Sequence, residues 1–291
     1  MTELPDPQLP FFAYGMYKPG EIAFSQIRDF VADVQEDEVS GYIKVRDGIP
    51  VLIESNDSKI PGSILCFTPN LAKHAYDKIL ELEPKHQYRW KILRTIKGNS
   101  VNGLVTRQPG RGNAYDIIEL WSSWNDPLFT EALEVVDETL HSEEVMRGDG
   151  FGSLKPQFRL QMAYLLLWTS IERFLYLRYG TGSDVVQNIN RLSKEPAFVD
   201  ALPRYIKPSS SGGKSRFREI YRTDDPGQQK IQLDPFNPKK SVDYYYQVRC
   251  NVAHRGKTAP GRDFEILAKS TEELLAIFRE VLKAAEVTSG W

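Results

Sequence analysis

The chain has 291 residues, enough for two domains or one large one. Hydrophobic residues make up 41% and charged residues 26%, a globular balance that excludes a disordered or fibrous chain. The net charge of −2 supplies no global field toward nucleic acid, and two cysteines far apart, Cys66 and Cys250, argue against a disulfide scaffold or a thiolate metal site.

Met1 to Pro10 is acidic and proline-rich, without the basic and apolar segments of a signal peptide. The longest apolar run, Met162 to Trp168, is too short to span a bilayer. The expectation is a cytoplasmic protein with no membrane partner, no metal and no cofactor.

Residues 9 to 112 read mainly as strands. Leu9 to Tyr14 is a short apolar run ending at Gly15. Gly41 to Glu54 holds two β-rich runs around Asp47-Gly48, a strong hairpin signal. Ile60 to Phe67 is a further strand. Thr68-Pro69 opens a helix by the rule of a capping residue followed by proline, with Leu71, Ala75, Ile79 and Leu82 as its buried stripe. Tyr88 to Ile96 and Val101 to Arg107 flank Gly98-Asn99 as a second hairpin.

This order resembles the γ-glutamylcyclotransferase-like family, a small mixed barrel. Two segments hold the likeness: Phe12 to Gly20, with Tyr14-Gly15-Met16 at its centre, and Ile79 to Glu83 followed by Tyr88-Arg89. The resemblance covers about a third of the chain. It implies Glu83 as a catalytic acid–base, and Tyr14, Gly15, Met16, Gly20 and Tyr88 as substrate-binding residues for a γ-glutamyl-like or amine ligand. The loop after the first strand would offer backbone N–H groups to a carboxylate, while a desolvated Glu would move the proton. Three residues depart from the family pattern: Tyr17 stands for Leu, Leu80 for Asp and Pro84 for Gly.

Gln108 to Gly112 is a loop by composition. Tyr115 to Leu120 has the make-up of a last strand. Asp126-Pro127 starts an amphipathic helix with Phe129, Leu133, Val136 and Leu140 on one side and Glu131, Glu134, Asp137 and Glu138 on the other. From Pro156 onward the chain reads as helices. Phe158 to Tyr179 is apolar almost all round and belongs at the centre of a bundle, with Glu172 as the acid inside it. Val185 to Leu192 and Pro196 to Leu202 are shorter helices. Arg204 to Arg222 interleaves basic and aromatic residues, and Lys214, Arg216, Arg218 and Arg222 are its candidate RNA contacts. Gly213-Lys214-Ser215 lacks the earlier glycine and preceding strand of a P-loop. Ser270 and Glu273 match a capping box at the start of a final helix.

Ser241 to Gly256 reads as one helix capped by Ser241, with Val242, Tyr245, Val248 and Val252 as its apolar stripe. Arg249 and His254 lie near its C-terminal end. Five helical positions are about 140° of rotation and roughly 7.5 Å of rise, so the end must tighten for both to share a cleft. Arg249-Cys250-Asn251-Val252-Ala253-His254 fits the R-x4-H motif and resembles HEPN domains, helical bundles many of which are metal-independent ribonucleases. The resemblance implies Arg249 and His254 as catalytic residues in a cleft between two protomers, with Glu172 and Asn251 as supporting residues. Cys250 stands where the family often has a polar residue.

The sequence therefore predicts an α+β chain: a cyclotransferase-like barrel over 1–112, then an all-α HEPN-like bundle over 113–291. Three readings are open, the last a scaffold that binds RNA or protein with neither site active. The first is a metal-independent endoribonuclease of toxin or anti-phage type, homodimeric, with RNA and an antitoxin as partners and the barrel sensing or modifying a small molecule. The second is a γ-glutamylcyclotransferase-type enzyme whose helical half only dimerises or binds a partner.

Overall fold

The computed structural model describes residues 4–83, 87–114, 121–147, 154–180, 185–211, 214–221, 229–255 and 262–291. Side chains at 114, 185–186, 209–211, 214–216, 254–255 and 262 lie outside that description. The chain is α+β, with strands concentrated in the first part and helices in the second. It divides into two compact units and passes between them four times: 1–126, 176–184 and 285–291 form one, 127–175 and 185–284 the other. The sequence reading placed a single boundary after residue 112.

The first unit contains β1 (Phe11–Ala13), β2 (Val31–Ser40), β3 (Tyr42–Arg46), β4 (Ile49–Ile53), β5 (Lys59–Phe67), α1 (Ala72–Leu82), β6 (Tyr88–Arg94), β7 (Ser100–Thr106) and β8 (Asn113–Ala114). Five strands make a mixed sheet in the order β2-β5-β1-β7-β6, and β4-β3-β8 make a smaller one. Strand β1 lies parallel to β7 and antiparallel to β5. The expected barrel is not closed among the described residues. The outer strands of the large sheet approach at an isolated bridge, Val39 with Thr95, rather than along a ladder.

Alternation of side chains across the strands sets the core. Phe11 and Ala13 join Phe24, Leu65, Tyr76, Ile79 and Trp90 in one cluster, while Phe12 and Tyr14 join Ile43, Leu52, Ile64 and Val105 in another. The β3–β4 hairpin turns at Asp47 and Gly48, both at positive φ (52° and 74°), as the dipeptide predicts. Helix α1 begins later than Thr68-Pro69 suggests. The Leu71 N–H bonds to Thr68 O, so the pair forms a turn, and the helix starts from Leu71.

The C-terminal residues of this unit are tied to its early loop. Gly20 N donates to Ser289 O at 2.7 Å, and the Phe24 and Trp291 rings meet edge-on at 6.1 Å. Glu21, a buried acid, accepts from Ser123 N and Ser123 Oγ, both at 2.7 Å.

The second unit holds α2 (Glu131–His141), α3 (Glu143–Met146), most of α4 (Lys155–Tyr179), α5 (Val185–Leu192), α6 (Pro196–Tyr205), the ribbons β9 (Ser209–Ser211) with β10 (Lys214–Arg216) and β11 (Glu219–Tyr221) with β12 (Lys230–Gln232), α7 (Pro238–Arg255) and most of α8 (Arg262–Thr288). Leu160, Tyr164, Leu167, Trp168, Ile171 and Phe174 are buried, as an all-round apolar helix requires. Phe174 packs edge-on against Phe129 and Phe278, and Tyr164 Oη donates to Tyr245 O at 2.7 Å.

Two helix starts differ from the sequence reading. Helix α7 begins at Pro238, and Asn237 Oδ1 accepts from Lys240 N, so Asn237 is the cap; Ser241 instead donates to Asp234 O. Helix α8 begins eight residues before Ser270. Ser270 and Glu273 therefore lie within the helix, where Glu273 is a buried ion-pair partner rather than part of a capping box. Tyr115 to Leu120 lies outside the described residues. No described helix is long and apolar enough to cross a membrane.

Candidate functional site

In the first unit the loop after β1 and the end of α1 converge. Two small adjoining cavities, of about 10 and 20 Å³, share Met16, Tyr17, Ile49, Glu83 and Tyr88 in their walls. Each has room for about one water. Gln87, Tyr176, Leu177 and Gly180 also line the first cavity, and Tyr14, Gly15 and Pro50 the second.

Glu83 ends α1, its N–H bonded to Ile79 O. The residue is only partly buried, but its Oε2 is sealed from solvent and accepts no hydrogen bond. Burial pushes the carboxyl from its ordinary 4.5 up to about 7, and the neighbouring Tyr17 hydroxyl offsets part of the rise. Tyr17 Oη is also buried, and its contact with the carboxylate falls short of good hydrogen-bond geometry. Tyr88 is buried, and its phenol is held well above its ordinary range by burial and then by Glu83.

The other expected substrate-binding residues divide. Tyr14 lines the cavity, but its hydroxyl donates to Leu104 O at 2.8 Å and accepts from Leu52 N at 3.2 Å. That phenol ties the loop to the sheet. Gly15 packs directly on Pro50, where a Cβ would fall 2.7 Å from Pro50 Cγ. Among the described residues, no protein acceptor takes the backbone N–H of Met16 or Tyr17. Gly20 is a correction. It lines neither cavity, because its N–H is spent on Ser289 and its carbonyl accepts from Trp124 Nε1 at 2.7 Å.

Arg46 closes β3 and lines neither cavity, and its Nη2 donates to Gln87 Oε1 at 2.8 Å. A basic residue beside a hairpin turn reads as a solvated strand end, and only the placement of Gln87 changes that.

In the second unit Arg249 reaches from α7 to Glu172 on α4, Nη2 to Oε1 at 3.4 Å, with both side chains part-exposed. The guanidinium also lies over the Tyr246 ring, 5.7 Å from its centroid. Glu172, the expected supporting residue, is thus the carboxylate that meets Arg249. The His254 side chain lies outside the described residues. Asn251 is a correction: it is buried, accepts from Gln247 Nε2 at 2.9 Å and donates to Tyr221 O at 3.2 Å. It points about 200° around the helix from Arg249 and fixes β11 to α7.

The basic segment also needs a correction. Arg218 is not a surface cation. It forms a two-pronged pair with Glu273, side chains 10% and 11% exposed, and Tyr245 Oη donates to the same carboxylate at 2.9 Å. The side chains of Lys214, Arg216 and Arg222 lie outside the described residues. A cavity of about 240 Å³ lies between β11, α7 and α8, walled mostly by apolar groups such as Ile220, Val248 and Leu267. No group of three metal-ligating side chains occurs among the described residues.

The first unit is thus a mixed sheet with a desolvated carboxyl at the end of α1, and the second a helical unit in which an arginine on α7 meets a glutamate on α4. No family profile and no curated protein matches the chain. Among solved structures, the uncharacterized protein PH0828 from Pyrococcus horikoshii has a distant likeness. It is 18% identical, with 37% of this chain and 85% of that chain covered and a TM-score of 0.31.

Proposed function

We propose that Glu83 is the general acid–base of a site acting on a small γ-glutamyl or amine ligand, in a first unit of γ-glutamylcyclotransferase-like design. The observation that supports this is a carboxyl sealed beside Tyr17 and lifted to about 7. Such a group can both take and return a proton near neutral pH. In this reading the ligand's α-amine attacks its own γ-carbonyl. The Glu83 carboxylate takes a proton from that amine as the new C–N bond forms. The same proton goes to the departing amine as the old C–N bond breaks, leaving Glu83 ionised. The Met16 and Tyr17 N–H groups suit the carbonyl oxygen as it gains charge.

A ligand of that size needs more room than the two cavities offer, so their walls must part for it to enter. The test is release of pyroglutamate from γ-glutamyl amides by wild type and Glu83→Gln. The expected loss is on the order of a hundredfold or more in the variant. Equal rates would overturn the assignment.

A second reading is favoured by the Arg249–Glu172 contact. Here the second unit, of HEPN-like design, cleaves RNA without metal. His254 would take the ribose 2′-OH proton, and Arg249 would hold the charge building on the phosphate. A homodimer would supply a second His254 as the acid, and the role would be that of a toxin or defence nuclease with an antitoxin partner. RNA incubated in EDTA with wild type and His254→Ala tests it. The expected products carry 2′,3′-cyclic phosphate ends and vanish in the variant; equal cleavage by both would rule the site out.

A further inference from the structure

We propose that the cavity between β11, α7 and α8 in the second unit binds a small apolar amine, with the aliphatic walls holding its ring and Asp263 its ammonium group. The site uses neither Glu83 nor Arg249, so it stands or falls apart from either activity.

Three observations support it. The first is the shape of the cavity. Val248, Asn251 and Val252 present one face of α7, and Asp263, Ile266 and Leu267 one face of α8, each set at i, i+3 and i+4. An unfilled apolar space forfeits packing in proportion to its volume, so a fold closes it where it can. The second is that these walls are held in place. Asn251 donates to Tyr221 O at 3.2 Å and fixes β11 to α7, while Arg218, just before β11, pairs with Glu273 on α8. The cavity is therefore formed before any ligand arrives. The third is charge. Among the described residues that line the cavity, two are charged, and both are acids. Glu219 is committed to Lys230, whose Nζ donates to its Oε1 at 2.7 Å. Asp263 is part-buried and makes no ion pair or hydrogen bond among the described residues. The last turn of α7 and the first turn of α8 both line the cavity, and their opposed dipole ends offset each other. The Asp263 carboxylate thus sets the sign of the site.

Size narrows the ligand further. An apolar cavity of about 150 Å³ takes a benzene ring, so about 240 Å³ admits one ring with a short arm. An arylalkyl amine would lay its ring on Ile220, Val248 and Leu267 and bring its ammonium group to Asp263. An acid of the same shape would be repelled by the carboxylate, and a neutral alcohol would leave it unpaired.

The test is equilibrium binding of three probes to the full chain by calorimetry: 2-phenylethylamine, 2-phenylethanol and 3-phenylpropionate. Wild type should bind the amine with a dissociation constant of about 1 mM or tighter. The alcohol should bind about fivefold more weakly or worse, and the acid weakest of all. Asp263→Asn should bind amine and alcohol alike. Val252→Phe should bind none of the three and should melt no lower than wild type, because its ring fills the empty space. Asp263→Asn changes the charge alone and reads the preference whatever the filled variant does to folding. No binding of the amine to wild type, or equal binding of the acid, would overturn the site. So would the same preference in Asp263→Asn, or undiminished binding in a folded Val252→Phe, which would place the probe elsewhere. A wild-type dimer that takes up no probe and becomes monomeric in Val252→Phe would show that a second copy fills the cavity, and would overturn it too.

Discussion

Replacing Glu83 by Gln gives a stability difference whose sign and pH dependence follow from the site. In the folded chain the carboxyl titrates at about 7 rather than 4.5, chiefly because burial disfavours the charge. Between these values the unfolded chain has released the proton while the folded chain keeps it. Stability therefore falls as pH rises through this window and levels off above the folded value. At about 1.36 kcal/mol for each tenfold change in acidity, the cost of the ionised carboxylate reaches about 3 kcal/mol. Glutamine matches the shape of the protonated acid and has no charge to bury.

Wild type and Glu83→Gln should therefore unfold at similar urea concentrations near about pH 5, with the variant ahead by about 2–3 kcal/mol near about pH 8. A carbon NMR titration of the Glu83 carboxyl should show its midpoint near neutrality, and if the first unit releases pyroglutamate the acidic limb of that reaction should follow the same midpoint. A carboxyl that titrates near 4.5, or a variant less stable than wild type at the higher pH, would refute the reasoning.

Gly180→Ala should destabilise the first unit. Gly180 has φ of 76°, and an added Cβ would fall 2.3 Å from Leu82 O. The backbone strain alone costs about 1–2 kcal/mol, so thermal melting should drop by roughly 5 °C; an unchanged melt would mean the contact is absent. Arg218→Met should cost about 3–5 kcal/mol by leaving Glu273 buried without its cation, and the Arg218→Met, Glu273→Leu double variant should recover most of it in urea unfolding. A single-variant loss below about 1 kcal/mol would show that the pair is solvated. If the second unit cleaves RNA, Arg249→Ala should abolish cleavage, and Glu172→Gln should lower it by about tenfold through misplacement of Arg249. Full activity in Arg249→Ala would sink that role.

Much of the local structure was legible because the sequence signals were strong and local. Asp47-Gly48 names its turn, and the apolar girth of Leu160 to Leu175 names a central helix. The failures arose where two local signals competed or a distant contact decided. Asn237-Pro238 has the same cap-and-proline form as Thr68-Pro69, yet it was passed over for Ser241. Ser270-to-Glu273 spacing mimics a capping box, but Glu273 is spaced to meet Arg218 from β11's approach. The interleaved units were not legible at all. They depend on the chain's last residues returning to Gly20 and Phe24, a contact no composition shift announces.

The candidate site shows why motif likeness and physical chemistry need each other. The motif pointed to Glu83 and Tyr88 and also to Gly20, which the fold spends elsewhere. Burial and hydrogen bonding sort these residues without reference to any motif. Tyr17 Oη and Glu83 Oε2 are buried polar atoms without a hydrogen-bond partner, and both residues line the two adjoining cavities. Each such atom costs of order 1–3 kcal/mol in a fold whose net stability is of order 10 kcal/mol. Scattered through a protein, two unmet groups would be unremarkable packing faults. Side by side, an acid and a phenol set a proton acceptor next to a hydroxyl. Their shared neglect by the fold is the physical reason for proposing that the first unit's chemistry lies at this cavity.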